Sequence, residues 1–208
     1  YVEIDFLRNI HLERLRIYDL EKDTLIEVRK FEAKLARVDI NKKEVILSDV
    51  ELYKGLLKLG YHTAKSDLNI DFLVDYFTPK STTITPGKVW DIRMTDAKLL
   101  ETDFVYFNKT QRATDRFFDP DYMSFAKINA ELDSVIIGEP WFGARLRNVS
   151  FKERSGLEVV NGSLNALVDG RHMLFSNMLI KTPKSVLGDQ VELRYRSMKD
   201  FADVFHKV

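Results

Sequence analysis

The stretch Val45-Ile-Leu-Ser-Asp-Val-Glu-Leu52 carries the pattern that decides the fold of this 208-residue chain. Its apolar residues stand at i, i+2, i+5 and i+7, and Asp49 precedes the second apolar pair. Alternation of apolar and polar residues is typical of a β-strand with one buried face and one solvated face. The step of three would put the two pairs on opposite faces, so we expect a β-bulge at Asp49, or a jog between strands.

The same pattern recurs around Arg14, Asp96, Asn148 and Asn177, at irregular spacing. Four of the five central residues are Asn or Asp, which tolerate unusual backbone angles and bond to nearby main chain. Irregular spacing favours loosely repeated units over a solenoid of fixed period. The residues of the repeat that we expect to face inward are Leu12, Leu15, Ile17, Val45, Leu47, Val50, Leu52, Met94, Leu99, Leu146, Val149, Phe151, Phe175, Met178 and Ile180.

Turn residues are scarce, because the chain contains only nine Gly and five Pro. A sandwich of two sheets usually has short strands and frequent turn signals. Long alternating stretches instead favour a mostly β fold, an elongated and strongly curved antiparallel sheet with a taco-like apolar groove. The two-sheet sandwich is the alternative, because an alternating sheet must cover its apolar face in some way.

Two segments depart from strand periodicity and predict short helices. Ile70, Leu73, Val74 and Phe77 follow helical spacing, and so do the residues that begin at Met198. The second set is completed by Phe201, Ala202 and Phe205. The Pro-containing stretch 79–87 is the best internal linker. We therefore expect two β-groove units, residues 1–78 and residues 88–208, each ending in a short helix.

The charge balance argues against nucleic-acid binding, because the 32 Lys and Arg residues are matched in number by 32 Asp and Glu residues. The chain has no cysteine and no apolar run of the ~20 residues that span a bilayer. It opens with Tyr1-Val2-Glu3-Ile4, which resembles the middle of a strand rather than a signal peptide. We therefore expect a piece of a longer protein, so that any membrane anchor or targeting signal would lie outside this sequence.

Catalytic signatures are weak, and we expect neither an enzyme nor a cofactor. The sequence contains no nucleophile elbow, phosphate-binding glycine loop or dinucleotide fingerprint. Asp115, Asp119 and Asp121 could bind Ca²⁺, but a solvated turn explains them better because EF-hand spacing is missing. The four histidines are scattered along the chain, so we expect no metal site.

Several stretches together resemble one known family, and their order is more specific than any single one. The most specific is Leu146-Arg-Asn-Val-Ser-Phe-Lys-Glu-Arg-Ser-Gly-Leu157. The chain is similar to the TamB/AsmA-like translocation and assembly module family, in its Bacteroidota form. The other similar stretches are Leu12–Leu25, Val50–Tyr53, Leu68–Phe77, Trp90–Met94, Phe118–Tyr122, Ile180–Ser185 and Leu193–Phe201.

The resemblance implies a large protein that is anchored in the inner membrane and crosses the periplasm. Its β-units would stack into a taco-shaped trough, and this chain would be one segment of the trough. Implied partners are phospholipid and an Omp85-type barrel protein of the outer membrane, with a role in outer-membrane assembly. Acyl chains would bind passively along the inward residues of the repeat. The alternative is a structural β-repeat scaffold or adhesion-type module with a dry core and only protein partners.

Overall fold

Long strands follow from the alternation of apolar and charged residues and from the scarcity of turn residues. The computed structural model describes residues 2–4, 8–63, 66–73, 90–112, 118–138, 141–169 and 171–195. Within these ranges eleven strands form one sheet. The strands are β1 Val2–Ile4, β2 Asn9–Tyr18, β3 Thr24–Asp39, β4 Glu44–Tyr61, β5 Asp91–Asn108, β6 Tyr122–Gly138, β7 Trp141–Glu153, β8 Glu158–Val159, β9 Asn161–Val168, β10 His172–Lys181 and β11 Val186–Arg194.

The strands lie in sequence order along a curved sheet that does not close on itself, so the mostly β prediction is confirmed. β8 pairs with the end of β7 through Phe151 and Val159, and β9 pairs with the start of β7 through Phe142 and Val168. β8 and β9 therefore occupy one position, interrupted at Val160. Ten strand positions at about 4.8 Å span about 43 Å.

One pairing corrects the prediction of a wholly antiparallel sheet. β4 and β5 run parallel, with Val45 opposite Ile92 and Tyr61 opposite Asn108. Every other described pairing is antiparallel. Side-chain alternation is the same in both arrangements, so the sequence pattern could not distinguish them. This junction joins the two predicted units into one continuous sheet.

The prediction of unusual backbone at the centre of the repeat is confirmed at four of its five positions. The φ angle is 55° at Arg14, 49° at Asp49, 53° at Asn148 and 49° at Asn177. At Asp49 the pairing of β3 with β4 shifts: Glu32 and Lys34, two positions apart on β3, pair with Glu51 and Ser48, three positions apart on β4. The extra residue returns Val50 to the face of Leu47, as a bulge should.

Asp96 is the fifth central residue, and it uses its side chain instead of its backbone. The N–H of Asp49 donates to both carboxylate oxygens of Asp96, at 2.8 Å and 3.2 Å. The bulge on β4 is thus satisfied from β5, and the two copies of the repeat are complementary partners across the parallel junction.

The same device occurs at bulges that the repeat did not predict. Glu101 and Lys127 have φ angles of 52° and 53°, and neither is Asn or Asp. The N–H of Glu101 donates to Asn129 Oδ1 at 3.1 Å, and the N–H of Lys127 donates to Asp103 Oδ1 at 2.8 Å. In both cases the acceptor lies on the neighbouring strand, so an Asx side chain opposite a bulge stabilises it.

The predicted helices fall largely outside the described residues. Asp71–Leu73 has helical backbone, and the N–H of Leu68 donates to Asp71 Oδ2 at 3.0 Å. Positions 74–89 and 196–208 are not described, so the rest of the first helix and the whole second helix stay predictions. Among the described residues, no helix is long and apolar enough to cross a membrane.

Candidate functional site

One row of apolar side chains crosses five strands on the same face of the sheet. Leu12 lies opposite Phe31, Phe31 opposite Leu52, Leu52 opposite Leu99 and Leu99 opposite Ala130. Directly opposed residues share a face and have Cβ atoms about 5 Å apart. The face that carries this row is called the apolar face below.

Parallel rows extend the apolar face toward both ends of the strands. Leu35, Leu47, Met94 and Val135 form one of them. Ile17, Ile26, Leu57, Phe104 and Phe125 form another, near the opposite strand ends. A small core of Ala33, Leu47, Val50 and Ala97 overlaps the first of these rows, and the side chains packed against it are Ile10, Phe31, Leu35, Val45, Met94 and Leu132.

The structure brings the fifteen predicted inward residues together on the apolar face, because each bulge keeps its strand in phase. Three of them are buried: Leu47 at 8%, Val50 at 5% and Val149 at 6% exposure. The other twelve are partly exposed, which is unusual for apolar residues in the middle of a sheet. Those twelve are Leu12, Leu15, Ile17, Val45, Leu52, Met94, Leu99, Leu146, Phe151, Phe175, Met178 and Ile180.

The exposure has a simple origin, because the described strands form one sheet with no second sheet over it. Strands make substantial contacts only with their hydrogen-bonded neighbours. The two-sheet sandwich that the sequence left open is therefore not the architecture of this region.

The sequence pattern did not predict which residues of the strands without the repeat lie on the apolar face. β3 contributes Phe31 and Leu35, β6 contributes Val135 and Leu132, and β9 contributes residues that include Leu164. Their alternation identified them as strands. Their facing direction needed the pairing with the strands that carry the repeat.

One end of the apolar face is aromatic. The ring centroids of Phe104 and Phe125 lie 6.0 Å apart, and those of Phe125 and Phe151 lie 5.4 Å apart in an edge-to-face arrangement. Beside them, burial raises the pKa of Tyr106 to about 12, with smaller contributions from Tyr61 and Asp121. This end therefore combines rigid aromatic area with a neutral hydroxyl at physiological pH.

The opposite face is held by cross-strand ion pairs. Arg16 Nη2 lies 2.7 Å from Glu27 Oε1, and Lys34 Nζ lies 2.6 Å from Asp49 Oδ2. Because these pairs are exposed, each contributes at most about 1 kcal/mol to stability. A shallow cavity of about 360 Å³ on this face is lined mainly by charged residues from β3 to β7. Charges of both signs make this face suited to water.

A buried polar cluster, built on Asp19 and His62, caps the turn between β2 and β3. His62 Nε2 lies 2.7 Å from Asp19 Oδ2, and Asn69 Nδ2 donates to the same oxygen at 3.2 Å. Burial would raise the pKa of Asp19, but hydrogen bonds from His62, from the backbone of Asp23 and from Asn69 lower it overall. Lys109 Nζ lies 3.1 Å from His62 Nδ1.

A cavity of about 350 Å³ opens beside this cluster and is lined by four acidic residues besides His62. The carboxylate of Asp19 already accepts the N–H groups of Glu21 and Asp23, at 3.0 Å and 2.8 Å. A carboxylate occupied in this way stabilises a turn and has little capacity for a ligand. No local sequence signal predicts this pair, because Asp19 and His62 are 43 positions apart in the chain.

The predicted turn around Pro120 is observed, but it is not solvated, because Asp119 and Asp121 are buried at 4% and 7% exposure. Asp119 Oδ1 accepts the N–H of Asp121 at 3.0 Å, and Asp121 Oδ1 accepts Asn108 Nδ2 at 2.8 Å. Asp115 lies outside the described residues. Within the part of the chain that is described, no group of three or more His, Cys, Asp or Glu residues is arranged to hold a metal ion.

Comparison with known proteins identifies no relative of this chain. No family model, no curated protein and no solved structure matches the chain.

Proposed function

We propose that this chain is a segment of a periplasmic bridge-like lipid-transport protein of the TamB/AsmA-like type. The sheet would curl into a taco-like groove flanked by the two short helices, with the apolar face as its lining. Phospholipid acyl chains would move passively along it between the inner and outer membranes. In the full-length protein an inner-membrane anchor would lie outside this sequence, and an Omp85-type barrel would be the outer-membrane partner.

The observation that carries the proposal is an apolar face that continues through the nine strand positions from β2 to β11, while most of its side chains stay partly exposed. A hydrocarbon chain on this face would replace water, a transfer worth about 0.8 kcal/mol per buried CH₂. The ion-paired opposite face needs no such cover. Lipid binding of this kind is passive, so it requires no energy source within the chain.

Lipid extraction and native mass spectrometry of the purified chain test the proposal directly. We expect phospholipid to co-purify with the wild-type chain. We expect less with the double variant Leu52→Glu and Leu99→Glu, which places two charges on adjacent strands of the apolar face. The matched control is Glu51→Gln with Lys98→Gln, the neighbouring pair on the opposite face, and it should retain lipid.

Photo-crosslinking in cells gives the second test, because adjacent residues of one strand point to opposite faces. A photo-reactive residue at Phe175 should capture lipid, whereas one at Ser176 should not. Equal lipid capture at both positions would mean that the lipid adheres nonspecifically, and it would contradict the proposal. Absence of lipid at Phe175 and in the extract would instead favour the protein-binding scaffold.

A further inference from the structure

The edge strand β11 presents a regular backbone on its outer side. It stands last in the order of strands, and among the described residues no strand pairs with its outer edge. Its nine residues, Val186–Arg194, include no proline and no residue with positive φ. The irregularity in its pairing lies on β10, because Phe175 and Met178 pair with Val191 and Asp189. β11 therefore lacks the prolines and bulges that shield many edge strands.

Two hydrogen bonds fix which backbone groups of β11 point outward. At one end the N–H of Tyr195 donates to the carbonyl of Arg171 at 3.0 Å, and at the other the N–H of Thr182 donates to the carbonyl of Ser185 at 2.9 Å. Hydrogen-bonded and non-hydrogen-bonded positions alternate along an antiparallel pair, so the odd-numbered residues of β11 bond to β10. The even-numbered residues direct their N–H and C=O groups away from the sheet. They are Val186, Gly188, Gln190, Glu192 and Arg194.

The side chains of β11 give this edge an apolar character. Val186, Leu187 and Val191 are 66%, 58% and 38% exposed. Two of the charged side chains neutralise each other, because Arg194 Nε donates to Glu192 Oε1 at 2.6 Å. Exposed apolar side chains on the free edge of a sheet are typical of places where another strand adds.

We propose that β11 pairs antiparallel with β11 of a second copy of this chain, about a two-fold axis beside Gln190. In this register Gln190 lies opposite Gln190 of the second copy, Gly188 lies opposite its Glu192, and Val186 lies opposite its Arg194. All five outward residues then form hydrogen-bonded pairs, and together they make ten backbone hydrogen bonds. The contact is self-complementary, as a two-fold interface requires.

Charge and length select this register over its neighbours. On the apolar face Asp189 lies opposite Val191 of the second copy and Leu187 opposite its Leu193, so like charges are not directly opposed. A shift of two residues in one direction would set the two Asp189 carboxylates opposite each other, which is unfavourable. The same shift in the other direction moves Val186 past the end of β11 and loses two of the ten hydrogen bonds.

The second copy is also the partner whose strand matches β11 in length. At the other edge of the sheet, β1 has three described residues, Val2–Ile4, which is one third of the length of β11. A two-fold axis perpendicular to the sheet keeps the apolar faces of both copies on the same side. The paired sheets would therefore share one apolar face with twice the number of strands, whether or not that face binds lipid.

Sedimentation velocity of the 208-residue chain tests the pairing. We expect a concentration-dependent dimer for the wild-type chain. Gln190→Pro removes one outward N–H from each copy and leaves the bonds to β10 intact, so the dissociation constant should rise by at least about tenfold. Gln190→Ala keeps the N–H and should dimerise like the wild type. Circular dichroism checks that both variants retain their strands.

Disulfide formation tests the register, because the chain contains no cysteine of its own. Gln190→Cys places two thiols on directly opposed residues, whose Cα atoms would lie about 5.5 Å apart, within disulfide range. Gly188→Cys is the control, since the two copies of this residue would be four residues, or about 14 Å, apart along the strands. A Cβ at Gly188 fits the sheet, because its nearest neighbour, the carbonyl oxygen of Met178, lies at 3.4 Å.

After mild oxidation we expect a disulfide-linked dimer as the main product of Gln190→Cys and as a minor product of Gly188→Cys. A wild-type chain that stays monomeric at every concentration would overturn the proposal and leave the edge to a strand of another protein. Equal dimerisation of the wild type and Gln190→Pro would place the contact elsewhere and also overturn it. So would equal disulfide yields from the two cysteine variants.

Discussion

Replacing Asp96 by Ala tests whether a neighbouring carboxylate stabilises the bulge on β4. The substitution removes both acceptors of the Asp49 N–H, at 2.8 Å and 3.2 Å. A hydrogen bond to a charged group contributes about 1.5–3 kcal/mol. The side chain of Asp49 is 59% exposed, so water can replace part of the loss. We therefore expect the free energy of unfolding to fall by about 1.5 kcal/mol, the low end of that range.

Urea unfolding followed by circular dichroism measures the effect, with two matched variants. Asp133→Ala removes the carboxylate opposite Asp96 and its 3.0 Å contact with Arg147, an exposed pair worth about 0–1 kcal/mol. Asp96→Asn keeps an acceptor without the charge and should lie between wild type and Asp96→Ala. If Asp96→Ala and Asp133→Ala shift the unfolding midpoint equally, the carboxylate has no special role at the bulge.

Three further predictions concern backbone and turn positions. Asn148→Val should cost about 1–2 kcal/mol in thermal unfolding because the φ of 53° excludes a β-branched residue, whereas Asn148→Gly should be neutral or stabilising. The pKa of Asp19 is lowered from 3.8 on folding, so its contribution is complete above that pH and is lost as the pH falls through the folded value. Asp19→Asn should therefore flatten the acid limb of a stability–pH curve, and an unchanged limb would contradict this. A Cβ at Gly60 would overlap the carbonyl oxygen of Phe107, so Gly60→Ala should cost about 1–3 kcal/mol, while Gly138→Ala, with 4.0 Å of clearance, should not.

The local pattern predicted the strands and half of the positive-φ positions within them, because alternation and the step of three are properties of neighbouring residues. A step of three between apolar pairs indicates an extra residue in the strand. Asn148 and Asn177, at two such steps, adopt the expected left-handed backbone. Glu101 and Lys127 were missed because nothing in their own side chains favours positive φ. Their bulges are stabilised by Asn129 and by an aspartate on the neighbouring strand, a relation that appears only after pairing.

The face of the sheet on which the apolar residues of a strand lie is also determined by strand pairing. Phe31 and Leu35 alternate like residues of any half-buried strand, and the sequence alone does not tell which side they take. Opposition to Leu52 and Leu47 decides it. The parallel junction of β4 with β5 depends on the route of the intervening chain, which no local preference encodes.

The restriction of substantial contacts to adjacent strands bears on how the sheet loses its structure. A globular core melts as a unit because distant segments share it, whereas a linear array can fray from its ends. Amide hydrogen exchange should therefore be slowest in β4–β6 and become faster strand by strand toward β2 and β11. The sheet would behave as a one-dimensional chain of neighbouring couplings, so strands could be added or removed at its ends with little effect on the stability of its middle.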